Sequence, residues 1–203
     1  MSALGNWLRR NNTGDHSSDG DTGPTIRALQ GDIASQCVDV VVNAANERLG
    51  AGAGVAGAII NAAGPGLLRE CADSYPDGCP TGEARVTGGH DLPAKSIVHT
   101  VGPLWRGGTN GEPELLADCY RNSLQAAADI NARTVAFPAI STGIFHYPRE
   151  DAARVAVSTI RKFLTQSDHG INEVILVAYD SEQLAIYERF LETEEDEETE
   201  EEE

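Results

Sequence analysis

From residue 25 to about residue 191 the chain alternates between two apolar patterns. Short β-branched runs at 26–29, 38–42, 84–87, 96–101, 134–138 and 173–178 predict strands. Stretches with apolar residues three and four apart, at 55–63, 67–74, 113–130, 148–164 and 181–191, predict helices between most of them. Pro148 and the Ser181-Glu182-Gln183 run stand where helix starts are expected. Within 148–164, Ala152, Val155, Ala156, Thr159, Ile160 and Phe163 fall on one face, the spacing of a helix laid on a sheet. Strands and helices in this alternation predict an α/β sandwich with helices on both sheet faces. In such folds the ligand crevice lies beyond the carboxyl ends of the strands. The glycine-rich and polar motifs of this chain each follow a predicted strand.

The flanks differ from this body. Residues 1–24 are rich in Gly, Ser, Asn and Asp without periodicity, and predict a mobile lead-in. Residues 192–203 hold ten acids and no base, which predicts a self-repelling disordered tail, either a solvating extension or an interaction tail. The expected division is therefore 1–24 lead-in, 25–191 folded domain and 192–203 tail, with no internal repeat. A length of 203 residues is enough for one domain with a real core.

Composition narrows the function. The net charge of −17 includes the tail, and the rest carries 22 acids against 15 bases, only two of them lysines (Lys95 and Lys162). An acidic surface with arginine in place of lysine suits a salt-rich cytoplasm, so a halophilic source is expected. It argues against general nucleic-acid binding, which needs clustered bases against phosphates. No apolar run is long enough to span a membrane, and the N-terminus has no apolar signal region. Cys37, Cys71, Cys79 and Cys119 form no CxxC pair, so neither a disulfide framework nor a metal site is expected, and a cytoplasmic protein with reduced thiols is.

The most informative stretch is Val40-Val-Val-Asn-Ala-Ala-Asn46, followed by Gly50-Ala-Gly-Ala-Gly-Val-Ala-Gly57 and an apolar helical run. A glycine loop opening a helix exposes backbone N–H groups to an anion, and phosphate is the usual one. Asparagines at the strand end, Asn46 among them, suit a sugar hydroxyl. The segment 52–57 satisfies GxGxxG, so a dinucleotide site is considered. Two features count against it: residues 46–49 intervene between strand and glycines, and the segment near residue 70 reads as helix rather than as a strand ending in an acid. A purely structural glycine turn is the plainer alternative.

Three further motifs sit at strand ends. In Gln30-Gly-Asp-Ile33, Asp32 either accepts an exocyclic amine beside the Ile33 N–H or caps a short turn. In Phe137-Pro-Ala-Ile-Ser-Thr-Gly-Ile-Phe145, the small residues Ser141, Thr142 and Gly143 allow close backbone approach, with the positive end of the next helix expected nearby. Two such loops from neighbouring strands would grip a diphosphate from both sides. Tyr179, closing the last strand, either stacks on a base or packs at the core edge.

Together with His99-Thr-Val-Gly-Pro103, these motifs resemble the macrodomain family in order and spacing over residues 25–191. The resemblance implies a three-layer α/β/α sandwich on a mixed, mostly parallel six-stranded sheet. It also implies ADP-ribose, free or on ADP-ribosylated protein, as the ligand, no cofactor, and a monomer by default. Asp32 and Ile33 match the adenine contacts, and Asn46 the distal-ribose contact. Gly52, Ala53, Gly54 and Val55 match the first diphosphate loop, and Ser141, Thr142, Gly143, Ile144 and Phe145 the second. Tyr179 resembles the adenine-stacking aromatic of archaeal members. Ala56 and Ile60 stand where the hydrolases of the family carry Asp and His, so that acid-assisted mechanism is not expected. Hydrolysis of ADP-ribosyl esters, O-acetyl-ADP-ribose or ADP-ribose 1″-phosphate would instead use Asn46 and substrate-held water, and His146 is the histidine to test as an acid–base group. His90 and His99 are expected to be structural.

Overall fold

A computed structural model describes residues 23–166 and 168–200; the expected lead-in lies almost wholly outside the described residues. Six strands form one sheet: β1 Thr25–Gln30, β2 Val40–Ala44, β3 Ala84–Gly88, β4 Ser96–Thr100, β5 Thr134–Pro138 and β6 Glu173–Ala178. Their order is β1-β6-β5-β2-β4-β3, and only the β3–β4 pair is antiparallel. The helices are α1 Gly54–Ala63, α2 Pro65–Ser74, α3 Glu112–Asp129, α4 Arg149–Leu164 and α5 Ser181–Glu200, with a 3-10 turn at Ile33–Ser35.

Period-two alternation along each strand divides the core into two layers. Val40 and Val42 of β2, with Val174 and Leu176 of β6, pack under Leu116 and Leu124 of α3, Ile160 of α4 and Tyr187 of α5. Val41, Ile175 and Val177 point the other way, against Ile59 of α1 and Leu67 of α2. The sheet is therefore sandwiched between α3, α4 and α5 on one face and α1 and α2 on the other. Burying each such aliphatic side chain is worth about 1.5–3 kcal/mol, and β2 is buried almost throughout.

Differences from the sequence reading have local causes. The run expected from Val38 is regular strand only from Val40, although the Asp39 carbonyl already accepts from the Ser96 N–H at 3.0 Å. The Asp39 carboxylate accepts from the Arg133 and Thr134 N–H groups at 2.8 and 3.2 Å, and the Asp39 N–H donates to Thr134 Oγ1 at 2.8 Å, so on the β5 side residue 39 is held by side-chain bonds in place of a backbone ladder. Asp180, rather than Ser181, caps α5: its Oδ1 accepts from the Gln183 N–H at 2.8 Å. Helix α5 also continues past Leu191, the last apolar residue of its pattern, to Glu200. Glutamate's intrinsic helix preference favours that extension while like-charge repulsion opposes it.

Candidate functional site

Strand β2 delivers the first loop. Beyond Ala44 the Asn46 amide folds residues 46–51 around itself. Its Nδ2 donates to the Gly50 and Ala51 carbonyls at 3.1 and 3.2 Å, and its Oδ1 accepts from the Arg48 and Gly50 N–H groups at 3.1 and 3.2 Å. Both donors and both acceptor sites of the amide are thus used by its own loop. Gly54 then opens α1 at φ +59°, a conformation that favours glycine, with open space where a side chain would stand. Behind it the chain is tight, since a Cβ on Gly52 would lie 2.9 Å from the Ala56 Cβ and one on Gly57 2.8 Å from the Gly52 oxygen. Helix α1 has no side-chain cap and no acid in its first turn. Its first N–H groups, on Gly54, Val55 and Ala56, are therefore left for an anion.

Strand β5 delivers the second loop. Ser141 sits at φ +65° and His146 at φ +54°, an unfavourable region for residues with side chains. Two backbone bonds close the loop on itself, Tyr147 N–H to the Ser141 carbonyl at 3.1 Å and His146 N–H to the Gly143 carbonyl at 3.0 Å. Thr142 Oγ1 donates to the Ala139 carbonyl at 3.1 Å. The Ser141 hydroxyl is buried with no hydrogen-bond partner among the described residues. It lies against Gly102, where a Cβ would fall 2.1 Å from Ser141 Oγ. The expected help from α4 is weakened: Glu150 and Asp151 stand in its first turn, each also meeting an arginine, Arg189 at 3.0 Å and Arg154 at 3.1 Å.

The two loops face one cleft of about 210 Å³. Asn46, Gly52, Ala53, Gly54 and Val55 line it from one side, and Ser141, Gly143, Ile144 and Phe145 from the other. Thr142 does not line it. Ala44, Ala45, Ala56, Gly102 and Ala139, which sequence reasoning did not assign to the site, complete the lining. Four of them follow or end a strand, the signal that would have found them. Asp32, Ile33 and Tyr179 lie outside the cleft but on the same sheet edge. Asp32 is exposed and its Oδ1 caps the 3-10 turn through the Ala34 N–H at 2.9 Å, while Ile33 is buried. Tyr179 is 87% exposed and follows β6, whose last residue Ala178 pairs with Gln30 just before Asp32. Because β1, β6, β5 and β2 are parallel, their carboxyl ends form one track. Three strand spacings, roughly 14 Å, separate Asp32 from the α1 loop, and two, roughly 10 Å, separate Tyr179 from it.

Comparison with known proteins decides the family. A family model described as Macro domain matches residues 42–156. The O-acetyl-ADP-ribose deacetylase of Escherichia coli K12 is 52% identical over 169 residues, covering 82% of this chain and 94% of that protein. The chain belongs to the macrodomain family. Among solved structures, the Oceanobacillus iheyensis macrodomain with ADP superposes with a TM-score of 0.82 at 38% identity, covering 87% of this chain and 94% of that one. The Trypanosoma brucei macrodomain in complex with ADP-ribose gives 0.76 at 38% identity, covering 82% and 68%.

Among the described residues, no titratable side chain lines the macrodomain's cleft. His146 is exposed and does not line it. His99 is buried beneath the strand ends, where desolvation holds its pKa down to about 4. Its Nδ1 meets Asn43 Nδ2 at 3.1 Å and its Nε2 meets Thr87 Oγ1 at 2.8 Å, a neutral ring in a structural network. His90, as Glu70's partner at 2.6 Å, is likewise away from the cleft lining. Burial raises the thiols of Cys79 and Cys119 to about 11, so neither is a nucleophile at neutral pH. All four cysteines are free, and among the described residues no His, Cys, Asp and Glu cluster could hold a metal. No helix among the described residues is long and apolar enough to cross a membrane.

Proposed function

We propose that this macrodomain binds ADP-ribose, free or attached to protein. One observation carries the reading: two loops from adjacent strands, each rich in glycine or small residues, line a single cleft with uncharged residues beside the uncapped start of α1. The diphosphate would take the backbone N–H groups of residues 52–56 and 141–145. Adenine would lie towards Asp32 and Tyr179, and the distal ribose beside Phe145 and Asn46. The acidic composition and free thiols support a cytoplasmic, salt-adapted protein, and a monomer is its default state. Titration calorimetry tests the ligand. ADP-ribose should bind much more tightly than AMP, and Asp32→Ala should weaken it by about 1.5–3 kcal/mol, roughly ten- to hundredfold. Equal affinity for AMP and ADP-ribose would contradict the two-loop site.

The deacetylase relative favours a second reading, hydrolysis of O-acetyl-ADP-ribose, a mono-ADP-ribosyl ester or ADP-ribose 1″-phosphate. Against acid–base catalysis stand Ala56 at the family's aspartate position and a cleft that, among the described residues, no ionisable side chain lines. Asn46 would have to release its own loop to orient water. Incubating mono-ADP-ribosylated protein and O-acetyl-ADP-ribose with the parent and with Asn46→Ala at high salt separates the readings. Release by the parent alone makes it an enzyme, and release by neither leaves a reader module.

A further inference from the structure

The segment between β4 and α3, residues 101–111, contributes only Gly102 to the cleft lining, yet it is elaborately held. Glu112 gathers it from below: its carboxylate accepts from the Arg106 N–H at 2.9 Å and the Asn110 N–H at 2.6 Å. Gly108, at φ +79°, passes under the Trp105 indole so closely that a Cβ there would stand 2.7 Å from its Cη2. Trp105 in turn reaches the second loop twice. Its main-chain N–H donates to the Phe145 carbonyl at 2.9 Å, and its ring packs on the Tyr147 ring at 4.4 Å between centroids. These two contacts bracket His146, one of the two strained positions of that loop. Residues held at positive φ persist only where their surroundings over-determine them. The loop's own two backbone bonds span 141–147 and 143–146 but leave the Phe145 carbonyl to Trp105.

We propose that Trp105 is a positioning residue for ligand binding: through its ring on Tyr147, beside the main-chain bond from residue 105 to the Phe145 carbonyl, it fixes the second loop in its anion-receiving shape before ligand arrives. The inference rests on the ADP-ribose reading above. A loop already ordered spares the ligand the ordering cost, so loosening it weakens binding without removing a ligand contact.

The test measures ADP-ribose binding by calorimetry for the parent, Trp105→Ala, Trp105→Phe and Gly108→Ala, with circular dichroism as the check on folding. Trp105→Ala, which keeps the main-chain N–H but loses the ring, should bind about tenfold more weakly or worse, while Trp105→Phe, which keeps an aromatic ring on Tyr147, should stay within about threefold of the parent. Gly108→Ala drives a methyl group into the indole and should lose about threefold or more; it settles the question if Trp105→Ala does not fold. Unchanged affinity in Trp105→Ala or Gly108→Ala, or failure of Trp105→Phe to rescue, overturns the proposal. A parent that binds no ADP-ribose overturns the functional reading itself, a result distinct from a binding parent with unaffected variants.

Discussion

His99 gives the sharpest quantitative expectation, because a buried imidazole makes stability depend on pH in a window few other groups share. The ring is 1% exposed, and with Asn43 Nδ2 donating to Nδ1 its single proton lies on Nε2, directed at Thr87 Oγ1. A second proton on Nδ1 would require the Asn43 amide to turn its otherwise unpartnered oxygen to the ring, and the charge would stand in a desolvated site. Desolvation is the main cause of a folded pKa of about 4 against 6.5 for the free side chain; the field of His90 adds to it and that of Glu70 opposes it. In the unfolded chain the ring takes its proton as pH falls through 6.5, while the folded protein refuses it until about 4. Stability is therefore full above pH 6.5, falls by up to about 1.4 kcal/mol per pH unit below it, and levels off near pH 4. The separation of about 2.5 units corresponds to about 3.4 kcal/mol in all. Urea unfolding of the parent and of His99→Gln from pH 8 to 4.5 measures it, the difference between the two curves cancelling every other titrating group. The parent should lose about 2 kcal/mol more than the variant between pH 6.5 and 5. Parallel curves across that window would show that the ring is not held neutral, and the buried Asn43–His99–Thr87 network would be wrong.

Other expectations follow from single contacts. Gly102→Ala puts a methyl group 2.1 Å from Ser141 Oγ and 2.6 Å from Ile140 Cγ2, so it should cost about 1–3 kcal/mol in thermal or urea unfolding and weaken ADP-ribose binding through the displaced loop. Tyr179→Ala should leave unfolding within about 0.5 kcal/mol of the parent because the ring is 87% exposed, yet lower ADP-ribose affinity by roughly tenfold if the ring covers the base. Burial works against the Glu112 carboxylate, but its hydrogen bonds from the Glu112, Asn110 and Arg106 backbone outweigh that and hold its pKa down to about 2. Its contribution is thus present above pH 4.5 and lost as pH falls towards 2, so acid unfolding of Glu112→Gln should show a flatter pH dependence than the parent in that interval.

The strand and helix sequence was legible because β-branched runs and three–four spacing rarely compete in this chain; β5 and β6 fall where the pattern puts them. Boundaries moved where a side chain acted across the fold, as at Asp39, whose partners Arg133 and Thr134 are remote in sequence. The site was legible as separate motifs, and residues 46–49 between strand and glycines counted against a dinucleotide turn. What a single pass could not give was adjacency: Asp32 and Tyr179 share an edge only because β1 pairs with β6. Nor could it reveal that Asn46 spends its whole amide on residues 48–51, since an asparagine free to bind sugar and one folding its own loop read alike. The acids Glu150 and Asp151 were in plain view and weaken the α4 dipole, a charge-pattern reading that outranks the position of the helix start.

An acidic protein that receives an anion needs a local answer to its own field, and the two loops supply unequal parts of it. The arginine nearest the second loop in sequence, Arg149, is bound to Asp180 and Glu182 at 3.0 and 3.3 Å, so its charge is already answered at the edge of the site. The start of α4 is weakened by its own acids, whereas α1 begins with neither a cap nor an acid. The electrostatic pull must then come mainly from the α1 side, with the second loop contributing shape and unpaired N–H groups. Salt shortens the reach of the surface acids to about 8 Å or less at physiological strength and above, while leaving hydrogen bonds inside the cleft nearly intact. Raising ionic strength should therefore help this site more than it harms it, the opposite of a site built from lysine and arginine.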